Sequence, residues 1–302
     1  MGTPEFAQII LSSLIENKYN IISVYTQGDK KVGRKQIFQE SLVKTLAQTH
    51  NIPVFTPEKL RSEIEIIKNQ NPDLIIVAAY GKIIPQEILD IPKYKAINVH
   101  PSLLPKYRGA SPIQNALLNG DRITGTTIIL MNNEVDAGDI LGQIEIRIDA
   151  NENLPDLSEK LAKKSADLLI KTLPNWINKQ IVPQKQNSHE TTFCQILKKE
   201  DGKINWTDTA EDIFNRFRAF YPWPGIFTFW NGQRIKLNKI TLEKSKSNPQ
   251  TFGKIFTINE SIAVQAKDGI IILEEIQLEG RGFVTAKDFA NGHQEFIGSI
   301  FE

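Results

Sequence analysis

Apolar residues fall along the first two-thirds of the chain at two alternating spacings. Phe6, Ile9, Ile10 and Leu14 recur at helical intervals, predicting a helix over residues 4–16 with Thr3 as N-cap and Pro4 in the first turn. Residues 21–25 read as a strand. Residues 41–49 form an amphipathic pattern ending at His50, which takes a C-terminal capping or surface place. Residues 54–57 lead into a further helix to about residue 69. Residues 74–79 are an unbroken apolar run, the mark of a strand buried on both faces. A short strand at 96–100, a helix at 111–118, a strand at 126–131 and a long helix at 157–179 follow. Strands alternating with helices predict an α/β class, a Rossmann-like and mostly parallel sheet with flanking helices, over residues 1–183.

The pattern then changes. Residues 184–202 are polar, lack apolar periodicity and read as a linker; His189 within them is expected to be exposed and idle. A capped helix is predicted at 210–219. Tyr221-Pro222-Trp223-Pro224-Gly225 breaks it, and short strand-like runs follow at 227–230, 235–242, 262–265 and 270–273. Short strands between turns predict a smaller β-rich barrel over residues 203–302.

Composition alters this picture little. The 302 residues are enough for two domains, and the 40% hydrophobic and 24% charged content is that of an ordinary globular protein. The net charge of +1 gives no global attraction for nucleic acid, so any RNA binding requires a locally basic face. Residues 203–302 hold twelve Lys plus Arg against twelve Asp plus Glu, which leaves Arg216, Arg218, Arg234 and Lys236 as candidates for such a face, with an even scatter as the alternative. The single cysteine, Cys194, excludes an internal disulfide framework and a cysteine-based zinc site. No apolar run approaches membrane-spanning length, and Met1-Gly2-Thr3-Pro4-Glu5 has neither the basic start nor the apolar core of a signal peptide. A cytoplasmic, monomeric protein is expected.

The candidate chemistry gathers at residues 96–114. On a strand over 96–100, Asn98 and His100 share a face, and they emerge at the carboxyl end, where open α/β sheets bind ligands. An amide donor beside an imidazole suits attack on a carbonyl. A second site candidate is Asp136-Ala137-Gly138-Asp139, two carboxylates flanking a glycine; a turn with Asx-type hydrogen bonds is the plainer reading of it. Gly28 to Lys35 carries Lys30, Lys31, Arg34 and Lys35 against one acid, Asp29, and a solvated surface loop accounts for it equally well. Other chemistries find no support. The histidines at 50, 100, 189 and 293 lack ligand spacing, so no metal is expected. Ser102 and Ser111 lie outside any Gly-x-Ser-x-Gly elbow, and neither a P-loop nor a full GxGxxG is present.

Asn98-Val99-His100, Ser102-Leu103-Leu104-Pro105, Tyr107-Arg108-Gly109 and Pro112-Ile113-Gln114 together resemble the folate-dependent formyltransferases. The resemblance extends to Gly2-Thr3-Pro4, to Asp136-x-Gly138-Asp139, and to Pro222-Trp223-Pro224-Gly225 and Asp288-Phe289-Ala290-Asn291-Gly292, nearly the whole chain. It implies Asn98, His100 and Asp136 as the catalytic trio, with Asp139 structural. It implies a folate pocket lined by Tyr80 and Gly81, with Ser102, Leu103, Leu104 and Pro105 as further cofactor-binding residues, and 10-formyltetrahydrofolate as formyl donor, leaving tetrahydrofolate. It also implies an OB-like C-terminal domain and formyl transfer to the amino group of initiator methionyl-tRNA. The basic loop would reach the tRNA acceptor end through Lys30, Lys31, Arg34 and Lys35, and Arg216 and Arg218 would add contacts from the second domain. Relatives of the same family that act on glycinamide ribonucleotide or sugar nucleotides, or that hydrolyse the folate, share the trio. The second domain disfavours the first of these and the basic loop disfavours the sugar. A non-catalytic RNA-binding module is the alternative from another class. The family places a strand ahead of Gly-Thr-Pro, so an open cleft in the sheet and upstream residues that fill it are expected.

Overall fold

The computed structural model describes residues 1–32, 36–243 and 251–302. It divides into two compact units. The first contains 1–113, 123–148 and 156–195; the second contains 114–122, 149–155 and 196–302.

The first unit opens with helix α1 (Glu5–Glu16), whose Phe6, Ala7, Ile10, Leu11 and Leu14 are buried. Pro4, not Thr3, is the N-cap, and it makes no side-chain cap. The Thr3 hydroxyl instead donates to the Tyr80 carbonyl, 3.2 Å away. Then follow β1 (Val24–Tyr25), β2 (Lys30–Val32), β3 (Ile37–Gln39), α2 (Leu42–Thr49), β4 (Val54–Phe55), α3 (Ile64–Gln70), β5 (Ile75–Val77), α4 (Gln86–Leu89) and β6 (Ala96–His100). The Ser41 hydroxyl caps α2 by accepting from Lys44 N–H, and His50 closes its other end. The remaining elements of this part of the chain are β7 (Arg108–Gly109), α5 (Pro112–Leu118), β8 (Ile123–Leu130), β9 (Ile140–Arg147), α6 (Leu154–Ile177) and β10 (Phe193–Cys194).

The main sheet runs β5-β6-β8-β9, and β1 pairs with β4 beside it. The β1–β4 and β5–β6 pairs are parallel, as expected of an α/β sheet; β8 and β9 are antiparallel additions at the far edge. Met1 and Gly2 stitch the two parts together. Gly2 N–H donates to the Tyr25 carbonyl, the Met1 amino group donates to the Ile76 carbonyl, and Ala78 N–H returns to the Met1 carbonyl. Below that two-residue stitch the sheet is open. A cleft of about 140 Å³ lies between residues 20–25 and 74–76, covered by Ala7, Ile10, Leu11 and Leu14 of α1.

Residues 184–194, expected as a linker, are part of the first unit. Gln184 exchanges two backbone hydrogen bonds with Ile140, and β10 pairs in parallel with β7. His189 is exposed, in a short 3₁₀ turn.

The second unit is β-rich. Its elements are α7 (Ala210–Phe220), β11 (Ile226–Trp230), β12 (Gln233–Glu243), β13 (Ile255–Ile258), β14 (Ser261–Gln265), β15 (Ile270–Leu278), β16 (Val284–Thr285) and α8 (Ala286–Gly292). The strands form one antiparallel sheet in the order β11-β12-β15-β14-β13, with β16 also on β15. Thr209 and Thr285 cap α7 and α8 by accepting from Asp212 and Asp288 N–H. The core is strongly aromatic: Trp206 stacks on Phe301, and Trp230 meets Phe289 and Phe296 edge-on.

Candidate functional site

Strand β6 is buried at all five positions, so polar side chains on it must find partners inside the protein. Asn98 and His100 project from the same face, and both reach Asp136 on the turn between β8 and β9. The Asn98 amide Nδ2 donates to Asp136 Oδ1 at 3.2 Å, and His100 Nδ1 lies 3.5 Å from Asp136 Oδ2. Gly109 N–H donates to Asp136 Oδ2 at 2.9 Å. One carboxylate therefore collects an amide, an imidazole and a backbone N–H. His100 Nε2 lies 2.9 Å from the Tyr107 carbonyl oxygen. Each ring nitrogen thus faces an oxygen. The Asn98 amide has a second hydrogen free of Asp136, available to an incoming oxygen. Side-chain exposure is 5% for His100 and 15% for Asp136, so the trio is shielded yet reachable from the Asp136 side.

The turn that carries Asp136 is tightly constrained. Asp136 adopts φ +49°, a left-handed conformation that Asp tolerates better than most residues. Gly138 packs so closely that a Cβ would overlap the Leu130 carbonyl oxygen at the end of β8. Leu130 N–H donates to the Asp139 carbonyl at 2.9 Å, which fixes Asp139 as a backbone anchor.

The other expected residues are distributed differently. The Tyr80 ring is core, 2% exposed among Ile84, Ile88 and Tyr25, so a ligand at this loop meets backbone and not the phenol. Burial pushes the Tyr80 phenol above its usual range, with Glu63 adding to the shift. Gly81, at φ +75°, and Ile83, 92% exposed, are what the loop presents to solvent. Ser102 and Leu104 are buried in the structure of their own loop. The Ser102 hydroxyl donates to the Lys106 carbonyl, Leu104 N–H donates to Thr127 Oγ1, and Thr127 in turn donates to the Ser102 carbonyl. Leu103 packs against Gly125 of β8, and Pro105 is half-buried.

Lys30 and Lys31 are exposed on the β2–β3 hairpin, where Lys31 lies over the exposed Phe38 ring. Arg34 and Lys35 lie outside the described residues. Arg218, expected on a basic surface, is 5% exposed. Its guanidinium donates to Asn215 Oδ1 at 2.5 Å and to the Glu152 carbonyl at 3.1 Å, so it fastens residues 149–152 to α7. Arg216 is half-buried and donates to the Asp201 carbonyl at 2.6 Å. Three cations lie on or beside the β11–β12 ribbon. Arg234 stacks 3.4 Å from the Phe227 ring centroid, Lys203 lies over Phe229, and Lys236 follows Arg234 on the same face. Burial and the neighbouring Arg234 hold the Lys236 ammonium below its usual range.

Sequence reading missed the supports of the trio: the Tyr107 carbonyl, the Gly109 N–H, Arg108, Thr192 and Gln186. Tyr107 N–H donates to Thr192 Oγ1 at 2.8 Å, and Gln186 bonds both the Asp136 turn and Arg108. Tyr107-Arg108-Gly109 was visible as a motif, whereas Gln186 and Thr192 sat in a segment with no pattern at all. Among the described residues no group of three or more His, Cys, Asp or Glu side chains is arranged to hold a metal ion, and no helix is long and apolar enough to cross a membrane.

Residues 1–173 match the formyl transferase family and residues 196–294 match the formyl transferase C-terminal domain; the chain belongs to this family. It is 47% identical to the methionyl-tRNA formyltransferase of Caldicellulosiruptor saccharolyticus over 99% of this chain and 98% of the relative. It is 39% identical to the methionyl-tRNA formyltransferase of Clostridium perfringens (strain 13) over 100% and 98%. Among solved structures, an N-formyltransferase from Helicobacter canadensis, crystallised with folinic acid and dTDP-3-aminofucose, superposes with a TM-score of 0.67 at 24% identity. That match covers 90% of this chain and 96% of the other, and shows a shared fold.

Proposed function

We propose that this chain transfers the formyl group of 10-formyltetrahydrofolate to the α-amino group of methionyl-tRNA, the initiator species. The products are N-formylmethionyl-tRNA and tetrahydrofolate. The observation that carries the reading is the shared carboxylate of Asp136, on which Asn98 and His100 converge at 3.2 and 3.5 Å. The full-length likeness to relatives of that name selects the acceptor.

The chemistry sets three demands. The amine nitrogen attacks the formyl carbon, and the carbonyl oxygen becomes an oxyanion that needs preorganised donors. The free hydrogen of the Asn98 amide supplies one, and His100, whose Nδ1 lies 3.5 Å from Asp136, is the second donor beside it. The attacking amine has an ordinary pKa of ~7.7–8.0, so a useful fraction is neutral near pH 7; after attack it must shed a proton. The folate nitrogen must gain one before its bond to the formyl carbon breaks. Asp136 against His100 provides a base and an acid within one hydrogen-bonded group.

Lys30 and Lys31, with the exposed aromatic ring of Phe38, are proposed to meet the acceptor end of the tRNA. Arg34 and Lys35 belong to the same loop. In the second unit, assigned here as an OB-like RNA-binding domain, Lys203, Arg234 and Lys236 replace Arg218 as the backbone contacts. The folate is proposed to lie against Gly81 and Ile83 beside the 102–105 loop. The protein is proposed to act as a monomer in the cytoplasm.

The test is a formyl-transfer assay with 10-formyltetrahydrofolate, offering Met-tRNA, an amino-sugar nucleotide and water in parallel. Formyl-Met-tRNA as the dominant product is expected. Transfer only to sugar or water would overturn the acceptor and keep the trio. Binding of tRNA with no transfer would make the protein a module without catalysis.

A further inference from the structure

The amide side chain of Gln186 joins the two backbone segments that surround His100. Its Nε2 donates to the carbonyls of both Asp136 and Gly138, each at 2.8 Å. Its Oε1 accepts a fork from Arg108, 3.1 Å from Nε and 2.8 Å from Nη2. Both donor hydrogens and both acceptor sites of the oxygen are thereby used, the full capacity of a primary amide. Arg108 is followed by Gly109, whose N–H holds the Asp136 carboxylate, and preceded by Tyr107, whose carbonyl holds His100 Nε2. A closed ring of contacts results: Gln186 to the Asp136 turn, Asp136 to Gly109, and Arg108 back to Gln186.

We infer that Gln186 is a positioning residue for the reaction: it sets the distance between Asp136 and His100 by locking the 107–109 loop to the 136–138 turn. The inference rests on the trio being catalytic. Gly109 N–H ties the loop to the Asp136 carboxylate, and Gln186 ties it to the backbone of the turn. Asp136 has a left-handed backbone and half-exposed neighbours, and the carbonyls of Asp136 and Gly138 point where only a two-hydrogen donor can serve both. Residues that orient a reacting group through hydrogen bonds act on rate while leaving ground-state binding nearly untouched. A carboxylate at this position separates placement from mere adhesion. Gln186→Glu keeps the Arg108 fork, now charge-assisted, but has no hydrogen to donate and sets an anion against two carbonyl oxygens.

The experiment compares Gln186→Glu and Gln186→Leu with the wild-type chain. Its readouts are kcat, KM for both substrates, the thermal unfolding midpoint, and the ring ¹⁵N resonances of His100. Expected are a kcat loss of about 10–100-fold in both variants and KM values within about threefold. Gln186→Glu should unfold close to wild type, and the His100 ring resonances should move in both. Wild-type kcat in Gln186→Glu would overturn the proposal. So would a loss of kcat that merely tracks a fall in the unfolding midpoint. If the wild-type chain transfers formyl to no acceptor, the catalytic reading of the trio falls, and the resonances still decide placement: unchanged His100 signals in Gln186→Glu refute it, and shifted ones uphold it.

Discussion

Gly138→Ala is the substitution that tests the site through its backbone and leaves the side chains of Asn98, His100 and Asp136 chemically unchanged. The added Cβ would sit at under half the ordinary van der Waals separation from the Leu130 carbonyl oxygen. That oxygen belongs to β8, and Leu130 N–H is tied to the Asp139 carbonyl, so the strand end cannot move away without taking the turn with it. Relief requires the turn to retreat by about 2 Å. The contacts of Asp136 with Asn98, His100 and Gly109 measure 3.2, 3.5 and 2.9 Å, and none survives such a displacement. Misplacement of a catalytic group by about 1 Å can cost 10²-fold in rate, so kcat should fall at least about 100-fold, or ~2.7 kcal/mol in barrier. Overpacking of this kind also costs about 1–3 kcal/mol of stability. The assay is formyl transfer to Met-tRNA under saturating folate, with circular dichroism and tRNA binding to show that the variant is folded. A folded Gly138→Ala retaining more than a third of wild-type kcat would refute the placement of Asp136 in the reaction.

Three further outcomes follow from contacts already described. Arg218→Met removes a buried guanidinium that donates to Asn215 Oδ1 and the Glu152 carbonyl; denaturant titration should show a loss of about 1–3 kcal/mol, while the salt dependence of tRNA affinity stays unchanged. Arg234→Ala with Lys236→Ala should do the reverse, leaving stability within about 1 kcal/mol and lowering the slope of log affinity against log salt by about 2; an unchanged slope would remove this face from the RNA contact. In a chain that begins at Met1, burial drops the terminal amino group to about 5, whereas the unfolded chain protonates it near 8. The unfolded state therefore binds the extra proton between those values, and stability falls as pH drops from about 8 to 5, by at most about 4 kcal/mol, and levels off below. Urea midpoints compared with an Nα-acetylated chain isolate this term; parallel pH profiles for the two would contradict it.

What could be read in advance was whatever local pattern determines. The apolar run at 74–79 read as a strand, and its centre is β5, with Ile75 and Val77 buried and Ile76 half-buried; strand alternation placed Asn98 and His100 on one face, from which both reach Asp136. Direction was less legible. Residues 126–131 read as a further strand of the sheet, yet β8 runs antiparallel, because strand sense depends on the path of the connection and leaves no mark in the strand's own residues. Arg218 misled because a cation on an amphipathic helix is ordinarily exposed; Asn215 one turn earlier was the one local hint that this turn faced inward. Gln186 was illegible in principle. Its partners lie 48–78 residues away, and a polar side chain bonded to backbone carries no periodicity.

The stitch formed by Met1 and Gly2 bears on how the protein is handled. Because the Met1 amino group aims at the Ile76 carbonyl in parallel with β5, any chain joined ahead of Met1 must first run back between residues 20–25 and 74–76, beneath α1. Its first few residues are interior positions. A histidine tag or a charged cloning remnant placed there is installed in the middle of a sheet; an extended apolar run gains backbone partners on both sides. For this fold, the vector sequence upstream of the first codon is a core-packing decision.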